Sequence, residues 1–66
     1  MKGIIKFKDG HFEDILKHIG FAEAGIFVTQ TGTYMRSDVA QFYRYLKDFD
    51  MWTSCDDIVD VELEEK

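Results

Sequence analysis

A chain of 66 residues with one cysteine, Cys55, must hold itself together without an internal disulfide. Chains this short bury only about 60% of their unfolded surface, and the usual reinforcements are disulfides, metals or oligomerisation. This sequence instead carries ten aromatic residues: Phe7, Phe12, Phe21, Phe27, Tyr34, Phe42, Tyr43, Tyr45, Phe49 and Trp52. Each buried ring removes ~150–250 Å² from water, so a few of them suffice for a core. With no low-complexity run, residues 1–66 read as one small folded domain.

The hydrophobic pattern suggests an order of elements. Gly3-Ile4-Ile5-Lys6-Phe7-Lys8 reads as a first strand, closed by Asp9-Gly10. Next, Phe12, Ile15, Leu16 and Ile19 sit at i, i+3, i+4 and i+7, one stripe of a helix stopped by Gly20. Residues 11–22 also read as a strand after an Asp9-Gly10 hairpin turn, but Ile15-Leu16 and Gly20 break the alternation, which favours the helix. Ile26–Gln30 is a strand rich in β-branched and aromatic residues, and Thr33–Arg36 returns as its hairpin partner across Thr31-Gly32. Ser37 suits a helix N-cap, followed by Val39, Phe42, Tyr43, Leu46 and Phe49 on one helical face. Residues 50–57 read as an acidic connector. Ile58–Glu65 alternates, with Val59, Val61 and Leu63 on one side and Asp60, Glu62 and Glu64 on the other, as in a half-buried strand. The expected fold class is therefore α+β: a small antiparallel sheet with two helices in the split β-α-β-β-α-β order. A mostly-β small barrel with one helix is the alternative.

Charge is distributed unevenly along this order. Residues 1–46 net +1, whereas residues 47–66 carry eight acids against Lys47 and Lys66 and net −6. Such an asymmetry favours a basic partner surface, although a charged strand face also serves solubility alone. Same-face carboxylates on a strand recur every ~6.6–6.8 Å, whereas duplex phosphates advance ~3.4 Å per strand. One acidic strand is therefore too sparse to imitate a duplex edge.

Signatures of chemistry are weak. His11 and His18 on a helix would stand about 10 Å apart along the axis, too far to share one zinc. The bland reading makes them flank residues, with Asp14 and His18 as a helical pair. No metal, cofactor or catalytic residue is assigned. Cys55 is followed by Asp56 and Asp57, whose charges oppose thiolate formation. The glycines lack phosphate-loop spacing, and an enzyme is not expected. Tyr34, Arg36, Tyr43, Arg44 and Tyr45 mix aromatic and basic character, as single-strand binders do. A net charge of −5 penalises such binding, so direct nucleic-acid contact is disfavoured.

Charge returns at Lys6, Lys8 and Asp9 before any signal-like apolar stretch forms, and nothing approaches the ~18 apolar residues of a membrane span. The expectation is a soluble protein of a reducing cytoplasm. In these respects the chain resembles small accessory proteins of phages and mobile elements, many of them inhibitors of host machinery. That resemblance implies a host cytoplasm and extends to no motif. The expected function is a small acidic protein-binding module that docks its C-terminal third on a basic, nucleic-acid-binding surface. Its candidate partner-binding residues are Tyr45, Asp50, Trp52, Asp56, Asp57, Asp60, Glu62 and Glu64, with Trp52 and Tyr45 as anchors. For Trp52 the competing reading is a lid over the core. The alternative function is a homodimeric accessory subunit paired through an exposed strand edge, the Thr31-Gly32 hairpin being the best candidate edge.

Overall fold

The computed structural model describes residues 2–21 and 24–64. Glu65, at the end of the expected last strand, lies outside them. Among the described residues, eight strands account for the regular structure: β1 (Lys2–Phe7), β2 (Phe12–Asp14), β3 (Lys17–Ile19), β4 (Gly25–Val28), β5 (Thr33–Arg36), β6 (Phe42–Leu46), β7 (Met51–Ser54) and β8 (Ile58–Glu64). Every pairing is antiparallel, in a three-stranded sheet ordered β2-β1-β8 and a five-stranded sheet ordered β3-β4-β5-β6-β7. The fold is all-β. The expected α+β architecture is overturned, and so is the single helix kept in its mostly-β alternative.

Two bent segments join the sheets. β2 runs into β3 through Ile15 and Leu16, whose amides donate to Gly3 O in one sheet and Val28 O in the other. β7 runs into β8 through residues 55–57, where Cys55 N donates to Phe42 O and Lys8 N to Asp57 O. Each pair of strands thus acts as one strand that changes sheet at a corner, and the result is a small closed barrel. The Ile15-Leu16 interruption, which spoils alternation along residues 11–22, is the corner itself.

The core explains why both helical stripes fail. Ile5, Phe7, Ile58 and Val61 from one sheet meet Phe27 and Tyr34 from the other, joined by the corner residues Ile15 and Cys55. Phe42 and Leu63 pack at its margin. Of the first stripe only Ile15 is buried, while Phe12 and Leu16 are each 63% exposed. Of the second, Val39 and Phe49 lie exposed in turns, and Phe42–Leu46 alternates as a strand with Tyr43 and Tyr45 on the other side. Ser37 does cap, but it caps a turn: its hydroxyl accepts from Gln41 N at 3.2 Å. The expected connector over residues 50–57 contains β7.

A bulge refines the last strand. Lys6 faces Asp60 but Phe7 faces Ile58, so Val59 is the extra residue. Alternation resets there, turning Ile58 inward and leaving Val59 exposed, against the expectation that Val59 shares a face with Val61. Gly20 closes β3 against β4 rather than stopping a helix. Gly25 beside it has φ +110°, and a Cβ there would stand 2.3 Å from Ile19 O. Only glycine fits that approach.

Candidate functional site

Two polar-to-apolar contrasts organise the surface: a charged cluster at one mouth of the barrel, and the two outer sheet faces. The mouth cluster grows from the β1–β2 turn. Asp9 accepts from His11 N at 2.9 Å and meets His11 Nδ1 at 2.5 Å, while His11 Nε2 reaches Glu13 at 3.1 Å. The His11 ring lies flat on Phe7, with centroids 4.4 Å apart. Glu13 then accepts from the hydroxyls of Thr29, at 2.7 Å, and Thr31, at 2.6 Å. Hydrogen bonds from His11 to two carboxylates raise the imidazole pKa above its ordinary value. Partial burial pushes Glu13 up, but the bonds from Thr31, Thr29 and His11 outweigh it and leave its pKa lowered. Asp9 is lowered by the His11 backbone and ring donors. Arg44 stands over the Tyr34 ring at 5.7 Å with Asp57 3.9 Å away, completing a mouth of about 530 Å³. Its hydrogen-bonding groups largely satisfy one another, and what they do is tie β2 to the β4–β5 loop.

The outer face of the three-stranded sheet follows from alternation. Since Ile5 and Phe7 point inward, Ile4 and Lys6 point out, with the exposed Phe12 and with Asp14, Asp60, Glu62 and Glu64 around them. Lys6 Nζ sits 2.7 Å from Glu62. That contact, a hydrogen bond reinforced by charge, raises the lysine pKa. Three of the expected docking acids therefore share this face but stand next to β1 lysine positions, Lys2 being opposite Glu64 in register.

The outer face of the five-stranded sheet differs. Phe27 and Tyr34 point to the core, so their neighbours point away. Two cross-strand rows result. One runs Ile19, Ile26, Met35, Tyr43, Ser54, and the other Lys17, Val28, Thr33, Tyr45, Trp52. Ile26, Val28, Met35, Tyr43, Tyr45 and Trp52 are all half-buried, and Ile19 is exposed. Tyr45 and Trp52 are register partners with rings 5.2 Å apart, and the Tyr45 hydroxyl bonds Asp50 in the β6–β7 turn. That bond, with burial second, raises the phenol pKa. Trp52 lies outside the core cluster, which removes the reading of it as a lid.

The expected site residues thus separate into three groups. Tyr45, Asp50 and Trp52 come together beside the aromatic face. Asp56 and Asp57 occupy the β7–β8 corner, and Asp60, Glu62 and Glu64 line the opposite sheet. The mixed aromatic–basic group also divides: Tyr34, Arg36 and Arg44 occupy inward positions, with Tyr34 buried, whereas Tyr43 and Tyr45 face out. His18 makes no pair with Asp14; it stacks on Phe27 and donates from Nε2 to Ala24 O. Both strands of the Thr31-Gly32 hairpin have neighbours on each side, so that hairpin is no sheet edge. Ile26 and Met35 escape sequence reading as site residues. The signal was present: Ile26-Phe27-Val28 is apolar on both faces, the mark of a strand covered on both sides. Among the described residues no group of three or more His, Cys, Asp or Glu could hold a metal ion, and no helix is long and apolar enough to cross a membrane. No family model matches the chain, and no curated protein or solved structure does.

Proposed function

We propose that this chain is a non-enzymatic protein-binding module of the cytoplasm, and that it docks through the outer face of its five-stranded sheet. One observation carries the reading. Ile26, Met35, Tyr43, Tyr45 and Trp52 lie side by side, half exposed, on a face that the chain's own core does not use. Trp and Tyr are favoured anchors of binding energy, and an open apolar sheet face on a small domain wants a cover. Asp48 and Asp50 in the adjoining turn, within a net charge of −5, favour a partner whose apolar patch is rimmed by basic residues. A nucleic-acid-binding surface of a host protein has that chemistry. The acids at the β7–β8 corner and on β8 then act at long range, steering encounter more than holding the complex.

The test is affinity capture from the source cell's lysate with three proteins: the parent, a Tyr45→Ala/Trp52→Ala variant, and a variant with Asp56, Asp57, Asp60, Glu62 and Glu64 neutralised. The aromatic variant should lose the parent's partners while keeping the parent's circular dichroism. The neutralised variant should keep them but lose the salt dependence of association. Equal capture by the parent and the aromatic variant at 50 mM and 500 mM salt would refute the docking face.

A further inference from the structure

We infer that a second copy of this chain covers the five-stranded face when no other partner does, forming a two-fold dimer with its axis along β5. The inference rests on the reading of that face as a docking surface and adds an occupant. It follows from how the two rows are composed. On the β3–β4 side the face is aliphatic and basic, with Ile19, Ile26, Val28 and Lys17. On the β6–β7 side it is aromatic and acidic, with Tyr43, Tyr45, Trp52 and the adjacent Asp50. Met35 and Thr33 lie between them on the central strand.

An isologous interface requires a patch to complement itself, residue i meeting j while j meets i. Rotation about β5 turns the sheet over and exchanges its two sides. Each aliphatic half then meets an aromatic half: Ile26 faces Tyr43 of the second copy, Val28 faces Tyr45, and Met35 meets its own copy on the axis. Lys17 arrives over Trp52 and beside Asp50, where an ammonium gains both from the ring face and from the carboxylate. Rotation about an axis across the strands would instead bring each half onto itself, setting Lys17 against lysine-side residues and leaving Asp50 unanswered. The composition selects the first arrangement.

Magnitude follows from size. Five strands span about 19 Å between the outermost axes. That is a small interface, so the association should be transient, roughly in the hundred-micromolar range. Sedimentation of the purified parent between about 10 μM and 1 mM in low salt should show a reversible monomer–dimer equilibrium. Met35→Glu places two carboxylates face to face on the axis and should weaken dimerisation at least about tenfold, with its circular dichroism and thermal midpoint close to the parent's. Lys17→Glu should weaken it about tenfold, and adding Asp50→Asn, which keeps a residue suited to the φ of 51° there, should restore part of that loss. Non-additivity of this kind marks two residues that meet. A parent that stays monomeric at 1 mM overturns the inference, as does a dimer indifferent to Met35→Glu, or additive effects of the Lys17 and Asp50 changes. Trp52-dependent capture of a lysate protein by a monomeric parent would leave the docking face standing and remove only the second copy. A dimer with capture indifferent to Trp52 would keep the second copy on this face and remove only the lysate partner from it.

Discussion

The two outer faces of this barrel are built on the same core and end in opposite chemistry. Outside the three-stranded sheet, Lys6 pairs with Glu62 among Asp14, Asp60 and Glu64, and the apolar residues beside them are Ile4 and the edge residue Phe12. Outside the five-stranded sheet, seven of ten alternate positions are apolar or aromatic, from Ile19 through Met35 to Trp52. A largely charged face and a largely apolar face are thus separated by one thickness of core. Net charge alone misleads here. The acidic third supplies the charged face through β8, yet through β7 it supplies the tryptophan of the apolar one.

The comparison breaks most completely if the common core is removed. Phe27 is fully buried between the sheets, and Phe27→Ala should cost about 3–5 kcal/mol. For a 66-residue chain that approaches the whole stability. Urea unfolding should place the midpoint near zero denaturant, with both faces lost together. A smaller effect falls on one face alone. Gly25→Ala forces a Cβ against Ile19 O at the turn that sets β3 beside β4, and should cost about 1–3 kcal/mol. Amide exchange should quicken first in β3 and β4, the aliphatic half of the apolar face, while β1 and β8 keep their protection.

Ile26–Val28, Thr33–Arg36 and Ile58–Glu64 read as strands because β-branched and alternating residues specify them locally. Phe42–Leu46 misled because its apolar positions satisfy a period of 3.6 and a period of 2 equally, and pairing with β5 and β7 decides between them. Tyr45 and Trp52 are named as anchors by residue type alone. That they touch depends on the β6–β7 register, and that Ile26 and Met35 extend their surface depends on β4 and β5. The mouth cluster was beyond sequence reading, because Glu13 meets Thr29 and Thr31 from 16 and 18 positions away.

That cluster links the two sheets, since Glu13 of β2 accepts from Thr29 and Thr31 in the β4–β5 loop, and pH should loosen it. His11 has a raised pKa in the folded chain, so its contribution is complete below the ordinary imidazole value of about 6.5 and is lost as pH rises through the folded value. Asp9 and Glu13 have lowered values, so theirs is present above the ordinary carboxylate range and is lost as pH falls through the folded values. The clamp should therefore be tightest between about pH 5 and 6.5. An NMR titration should give His11 a midpoint above that of an unfolded peptide. Glu13→Gln should bring the midpoint down without unfolding the chain, and an unchanged midpoint would mean that the clamp does not act on His11.

The smallest effect tests whether the charged face contributes anything beyond solubility. Lys6 and Glu62 meet at 2.7 Å, but their side chains remain 38% and 55% exposed, so water and salt screen them. A double-mutant cycle with Lys6→Met and Glu62→Gln should give only a weak coupling at low salt, vanishing in 1 M salt. The Lys17–Asp50 coupling proposed across the dimer should persist further into high salt, because Trp52 and its neighbours exclude water around it. If instead the Lys6–Glu62 coupling proved the larger and more salt-resistant of the two, the charged face would be the more organised surface, and the division of labour between the faces would have to be reversed.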